Sequence, residues 1–267
     1  MRNLVTSILI VSSSIVGFAQ ETFQFNPKYI SNSVYLKEYN YYTTGEILSV
    51  NNKLKDSKID LRQIYILETK TKSKLLNEDL PFESKFVTLK IESIENRKKK
   101  IKDVLPDLIN LKVNGIENEK GRKTNSIEEN VSEKNKQTLM LMITDINNIF
   151  PFIVETFRVN ESKSFIQFIG NKAKEAGNVI ISTYKLLSIK DHIATFEIKK
   201  MLDKSKNPSS DSFATYNEYS LKGFLTINLK DQNEFDLSLS GNVDYSVANM
   251  YRNVVEIEEN IHSIRKK

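Results

Sequence analysis

The sequence predicts a mainly β fold of the α+β class. We expect about nine to eleven antiparallel strands in one large curved sheet or half-open barrel, with one main amphipathic helix. Apolar and polar residues alternate along much of the C-terminal half, as in residues 193–201 and 235–239, which is typical of half-buried strands. Residues 132–150 instead repeat their apolar side chains at helical spacing. The 39% hydrophobic content is adequate for a core, so we expect residues 20–267 to form a single domain.

Residues 1–19 have the composition of a secretory signal peptide. Arg2 supplies a positive start, residues 4–16 are almost wholly apolar or small, and residues 17–19 form a small-x-small pattern. The apolar run is shorter than the about 20 residues that a membrane span needs. We therefore expect cleavage after Ala19 and a periplasmic or secreted mature protein that does not span the membrane. An uncleaved N-terminal anchor is the alternative.

The composition excludes several classes of site. The chain has no Cys, which excludes disulfides, thiolate nucleophiles, zinc–thiolate sites, iron–sulfur clusters and a lipidated cysteine anchor. Its two histidines, His192 and His262, lie in a predicted turn and a polar tail, at no metal-binding spacing. We expect no catalytic residues, no cofactor and no metal. Loss of Arg2 lowers the net charge from +5 to +4, which is too weak to predict nucleic-acid binding.

The N-terminal half of the domain opens with a tyrosine-rich strand that ends near Gly45. It carries four tyrosines, which can stack on a sugar or lipid chain but more often pack within a sheet: Tyr35, Tyr39, Tyr41 and Tyr42. Residues 47–54 can return as its partner, residues 59–67 favour a strand over a helix, and residues 86–94 form a clear strand. Pro106 must break residues 101–113 or place them at an edge.

The middle of the chain carries the predicted helix. Residues 114–137 are the most polar stretch, which predicts an exposed loop leading into this helix. Ser132 is a suitable N-cap and Pro151 stops the helix. The apolar stripe, which either packs on the sheet as core or lines an apolar cavity, includes Leu139, Met142, Ile143, Ile146 and Phe150.

The C-terminal half predicts two consecutive hairpins. Residues 179–189 and 193–201 form the first, and residues 221–229 and 235–239 form the second. Residues 243–257 read as extended. The closing residues 256–267 can instead form a short helix.

These features together resemble a family of proteins. The sequence resembles the uncharacterised exported β-proteins of the Bacteroidetes. The features that carry this resemblance are the leader ending in FAQ, the tyrosine-rich first strand, the helix ending in Pro-Phe, and the segments STYKLLSIKDHIATFEIKK and SLKGFLTINLKDQNEFDLSLSG. The resemblance implies an antiparallel β protein. A curved sheet with a covering helix is also similar in architecture to the half-open barrels of lipoprotein carriers, although fold alone does not fix function.

The sequence therefore favours an exported, non-enzymatic protein that binds an apolar ligand, a lipid-like chain or a lipidated partner in the cell envelope. The residues expected to face that ligand are those of the helical stripe: Leu139, Met142, Ile143, Ile146 and Phe150. One alternative is a structural or interaction protein of the envelope that acts through its outer surface and an envelope protein partner. Another is a hydrolase that uses carboxylates only.

Overall fold

The computed structural model describes residues 21–50, 56–95, 98–103, 106–127, 131–147, 149–152, 154–171, 176–205, 214–247 and 250–266. Residues 1–19 lie outside this part of the chain, so the signal peptide and its cleavage after Ala19 stay a prediction. None of the helices in the described ranges is long and apolar enough to cross a membrane.

The described residues form fourteen strands, one α-helix and one short 3₁₀ helix. The strands before the α-helix are β1 Thr22–Phe25, β2 Val34–Ser49, β3 Ser57–Thr71, β4 Leu80–Glu95, β5 Lys98–Asp103, β6 Val113–Glu117 and β7 Lys123–Ile127. The 3₁₀ helix η1 is Pro106–Leu108 and the α-helix α1 is Glu133–Asn147. The later strands are β8 Glu155–Arg158, β9 Ser162–Asn171, β10 Ala176–Lys190, β11 Ile193–Leu202, β12 Ala214–Asn228, β13 Phe235–Val247 and β14 Tyr251–Lys266.

One large antiparallel sheet dominates the fold. Its continuous path runs β7-β6-β4-β3-β2-β14-β13-β12-β11-β10-β9, and β5 pairs with β4 beside that path. The sheet is curved but is not closed into a barrel, which confirms the predicted architecture. β1 and β8 form a separate antiparallel ribbon. The pairing of β2 with β14 brings the first long strand beside the last.

Glycines and bulges allow the sheet to curl. A Cβ at Gly223 would lie 1.8 Å from the Ser238 carbonyl oxygen, and one at Gly241 would lie 1.9 Å from the Ser220 oxygen. The backbones of β12 and β13 therefore approach each other more closely than any side-chain-bearing residue permits there. The register also shifts between Ile66 and Leu67 in β3, with further shifts in β10 and β12. Such bulges increase the local bend and twist of a strand.

The α-helix lies on the concave face of the sheet at the β3–β4 end. The Ser132 hydroxyl accepts a hydrogen bond from the Asn135 N–H at 3.3 Å, which is the predicted cap. Leu139 and Ile143 are 0% exposed, and Ile146 is 6% exposed. They form one cluster with core residues from the sheet and η1, including Leu67, Phe86, Leu89 and Leu108. The predicted helix is confirmed, although it ends at Asn147 rather than at residue 150.

Aromatic side chains hold the β1–β8 ribbon against the other part of the concave face. The Phe25 ring meets Phe150 and Phe152 edge to face, each with its centroid 4.9 Å away. The Phe157 ring meets Phe196 of β11 in the same way at 5.1 Å. Edge-to-face pairs of this kind add to the stabilisation from burial. The ribbon and residues 149–152 therefore cover one end of the concavity.

Three expectations from the sequence were wrong. Strand β2 continues past Gly45 to Ser49, and its partners are β3 and β14 rather than residues 47–54, of which 51–54 lie outside the described residues. The polar stretch 114–137 contains the β6–β7 hairpin rather than a long loop. Its turn is closed by the Asn118 Oδ1, which accepts hydrogen bonds from the N–H groups of Lys120 and Arg122 at 3.0 Å. The chain end is strand β14 and not a short helix, because β13 and β2 pair with it on both sides.

Candidate functional site

Six tyrosines and one glutamate share the concave face beyond the region that the ribbon and α1 cover. The tyrosines are half-buried and pack beside the core with their side chains partly accessible, whereas inward neighbours such as Val243, Ile257 and Ile261 are buried. We call this region the tyrosine concavity, and it consists of Tyr39, Tyr41, Tyr65, Tyr216, Tyr219, Tyr245 and Glu259. The fully buried Tyr184 of β10 lies outside this region, and its ring meets Phe152 edge to face at 5.1 Å.

Strands β2 and β3 supply the first wall. Tyr39 and Tyr41 are two residues apart on one strand and therefore point to the same face. Their rings are nearly parallel, with centroids 6.3 Å apart. Tyr65 lies directly opposite Tyr39 in the β2–β3 register, and this pair stacks at 5.8 Å. The Tyr65 hydroxyl donates to Gln63 Oε1 at 2.8 Å, which fixes its ring. The result is a continuous row of three stacked rings.

Strands β12 and β13 supply the second wall. Tyr216 lies opposite Tyr245, and their rings stack at 5.3 Å. Tyr219 meets Tyr216 edge to face at 5.8 Å. A three-residue separation would place Tyr216 and Tyr219 on opposite faces of a regular strand, but the bulge between Tyr216 and Glu218 brings both to the concave face.

Glu259 lies between the two walls, on β14. The residues two positions away on either side, Ile257 and Ile261, are buried, so Glu259 is a carboxylate in an apolar inward row. The Tyr39 hydroxyl donates to its Oε1 at 3.4 Å. Within the described residues, no ion pair joins Glu259 to a cationic side chain.

The electrostatics of the tyrosines follow from burial and from Glu259. Burial raises the pKa of Tyr39, and the negative charge of Glu259 raises it further. The same two causes, in the same order, raise the pKa of Tyr41, Tyr219 and Tyr184. These phenols therefore remain neutral at physiological pH and keep their O–H groups as hydrogen-bond donors.

Lys37 occupies the covered end of the same face. Its Nζ donates to the Ile146 carbonyl oxygen at 3.5 Å, at the C-terminal turn of α1, where the helix dipole favours a cation. The Nζ also lies 5.8 Å from the centroid of the Phe235 ring. Removal of the ammonium from water lowers the pKa of Lys37 to about 7, with a further contribution from Lys123. Lys37 therefore helps to join the helix to the sheet.

The residues of the predicted helical stripe lie in the core or beside it. Leu139, Ile143 and Ile146 pack in the core against the sheet, and Met142 is half-buried beside them. Phe150 follows the helix and meets Phe235 edge to face at 5.2 Å. Their contact with a ligand stays a prediction.

The sequence pointed to some of the site but not all of it. Tyr39 and Tyr41 were noted as side chains able to stack on a ligand, whereas the tyrosines of β3, β12 and β13 were missed, as was Glu259. The available signal for Glu259 was a single acidic residue at an inward position of an otherwise apolar alternation.

Two other buried carboxylates make structural contacts. Asp231 is 3% exposed and accepts a hydrogen bond from the Tyr35 hydroxyl at 2.9 Å. Glu117 is 2% exposed and accepts from the Tyr29 N–H at 2.8 Å. Burial is the first cause of a raised pKa in each carboxyl. The described residues contain no group of three or more metal-ligating side chains.

His192 lies in the predicted turn, whereas His262 lies within strand β14 rather than in a polar tail. Asp191 and His192 both have positive φ, of 50° and 65°, as the turn of a two-residue hairpin requires. His262 lies on the outward face of β14, where its Nδ1 contacts Asp236.

Comparisons with known proteins do not identify a family. The sequence matches no protein-family model and no curated protein. The structure of DynF from the dynemicin biosynthesis pathway of Micromonospora chersina is similar over 92% of this chain and 86% of that one, with 7% identity and a TM-score of 0.20. A TM-score of that size carries no argument about fold or function.

Proposed function

We propose that this protein is an exported, non-enzymatic binding protein that holds an apolar or amphipathic organic ligand in the tyrosine concavity. A lipid-like chain of a partner in the cell envelope is included in that class. The observation that carries the proposal is the convergence of six half-buried tyrosines from four strands on the concave face.

The physical basis is the mixed character of the tyrosine side chain. Its ring offers a broad apolar face, and its hydroxyl supplies a polar contact at the edge. Ligand sites are mostly apolar concavities with a few placed polar groups, which is the composition of this region. The fixed ring pairs, such as Tyr39 with Tyr65, mean that little side-chain freedom remains to be lost on binding.

A matched pair of neighbouring residues tests the proposal. Tyr41 faces the concavity, whereas Tyr42 points to the outer face and donates to Asp60 Oδ1 at 3.0 Å. We expect the mature protein to bind the neutral fluorescent probe N-phenylnaphthylamine. We expect Tyr41→Ala to weaken that binding about tenfold, as loss of a stacking aromatic face predicts, and Tyr42→Ala to leave it unchanged. Absence of binding by the wild type, or equal effects of the two variants, would overturn the proposal.

Export is the second part of the proposal. Expression of the full chain in a Gram-negative host should deliver a mature protein whose N-terminal residue is Gln20, because Ala19 ends the small-x-small pattern. Mass spectrometry of the periplasmic fraction measures this directly. A retained leader in a membrane fraction would instead support the uncleaved anchor.

A second candidate function rests on the outer face. Phe224 of β12 is 57% exposed and lines a shallow groove of about 460 Å³ with Glu38, Asp236 and His262. An exposed aromatic residue in a polar rim is typical of a protein contact. Phe224→Ala should then abolish capture of an envelope partner without changing the binding of the neutral probe.

A further inference from the structure

We propose that the ligand carries a cationic ammonium group, and that Glu259 and the tyrosines around Glu259 bind this group. This inference rests on the proposed binding function and deepens it by naming the charge of the ligand. The carrying observation is a carboxylate on an aromatic concave face to which the described residues supply no cationic partner.

The first step is the charge of Glu259. A half-buried carboxylate loses part of its hydration, and this cost is normally offset by a cation or by several hydrogen bonds. In the described part of the chain, Glu259 has one long hydrogen bond, from Tyr39 at 3.4 Å, and no ion pair. A bound cation would supply the missing compensation.

The second step is the aromatic environment of that charge. Tyr41 lies directly opposite Glu259 in the β2–β14 register, and Tyr39 contacts its carboxylate. On the second wall, burial and then the negative charge of Glu259 raise the pKa of Tyr219. Neutral aromatic rings attract ammonium groups through their faces, and sites of this composition recognise quaternary ammonium ligands. The tyrosine ring faces and the Glu259 carboxylate therefore both favour an ammonium group.

The third step concerns the cation that the chain itself places on this face. The Lys37 ammonium contacts the Ile146 carbonyl and the Phe235 ring at the covered end. Lys37 pairs with Ser263, two inward positions further along β14 than Glu259, and the ion pairs among the described residues include none between Lys37 and that carboxylate. A carboxylate-bearing ligand, such as a fatty acid, would meet repulsion at Glu259 and would have to orient its head towards Lys37.

Three probes with the same chain and different heads test the inference on the mature wild-type protein. Octyltrimethylammonium, octanol and octanoate are compared by displacement of N-phenylnaphthylamine. We expect octyltrimethylammonium to bind at least about tenfold more tightly than octanol, and octanoate to bind most weakly. Equal affinities, or preference for octanoate, would overturn the inference while leaving the proposed function intact. Failure of every probe, including the dye, would overturn both.

Two adjacent glutamates provide the matched variants. Glu259→Gln removes the inward charge and keeps an oxygen that can accept the Tyr39 hydrogen bond, whereas Glu258→Gln alters an exposed residue of the same strand. We expect Glu259→Gln to lose about tenfold in affinity for octyltrimethylammonium and to keep its affinity for the dye. We expect Glu258→Gln to change neither. An unchanged cation affinity in Glu259→Gln would contradict the inference, and the head-group comparison on the wild type decides it even if that variant does not fold.

Discussion

Burial and, after it, the negative charge of Glu259 on β14 raise the pKa of Tyr184 on β10, although three strands separate these two residues in the sheet. In a flat sheet this separation would be about 19 Å, since neighbouring strands lie about 4.8 Å apart. Because the sheet curls, side chains that project from its concave side lie closer together than they would in a flat sheet. The curl is therefore the feature that turns a row of strands into a candidate binding site.

The curl should depend on Gly241. Its φ is +158°, and a Cβ there would lie 1.9 Å from the Ser220 carbonyl oxygen. We expect Gly241→Ala to lower the free energy of unfolding by roughly 1–3 kcal/mol, because the β12 and β13 backbones would have to separate. Urea denaturation followed by circular dichroism measures this. Ser240→Ala, at the exposed neighbouring position, is the control, and equal stability of the two variants would contradict the explanation.

The ribbon should be held mainly by its buried aromatic residues. Phe157 is 0% exposed and lies against Phe196, whereas Phe224 is 57% exposed on the outer face. We expect Phe157→Ala to cost about 3–5 kcal/mol of unfolding free energy through lost burial and a residual cavity. The same truncation at Phe224 should change it by less than about 0.5 kcal/mol. Thermal and urea denaturation compare the two, and a small effect at Phe157 would show that the ribbon is not part of the core.

Tyr35 should stabilise the β2 end of the sheet through its hydroxyl. This Oη donates to Asp231 at 2.9 Å and accepts from the Ile30 N–H at 3.0 Å. Tyr35→Phe leaves both groups without that partner, so we expect a loss of about 1–3 kcal/mol in unfolding free energy. Tyr42→Phe removes a hydroxyl from the outer face and should cost less than about 0.5 kcal/mol. Equal stability of Tyr35→Phe and the wild type would rule out this role.

Lys37 should make stability increase with pH above neutrality. Burial lowers its pKa from 10.5 to about 7 in the folded protein. Between these values the unfolded chain binds the additional proton, so the free energy of unfolding rises with pH in this window. We expect Lys37→Met to remove roughly 1–3 kcal/mol of that rise between pH 7 and pH 9.5, a range that allows for the partial exposure of the residue.

Urea denaturation at several pH values measures the effect. Lys222→Met, at an exposed position of β12, is the matched control and should retain the rise. If Lys37→Met also retains the rise, the pKa of Lys37 is not lowered in the folded protein, and the explanation from its burial beside α1 is wrong.

Local pattern was enough to predict the strands of the C-terminal hairpins and the helix. Leu237 and Leu239 alternate with polar residues, so a two-residue period alone places them on the buried face. Leu139 and Ile143 follow the helical period and are buried against the sheet. Predictions were wrong where polar residues dominate, because the β6–β7 hairpin and the end of β14 are strands through pairing with their neighbours rather than through their own composition.

The sequence by itself determined which side chains share a face along each strand segment without a bulge, because alternation follows from the geometry of a regular strand. It thus placed Tyr39 and Tyr41 together before any pairing was known. Only the tertiary structure decided that the tyrosines of β12 and β13 would face them around Glu259. That meeting requires the pairing of β2 with β14, the bulge at Tyr216 and the close approach at Gly223 and Gly241. These are contacts between backbones distant in sequence, and the free energy that selects them comes from burying the whole concave face rather than from any one segment.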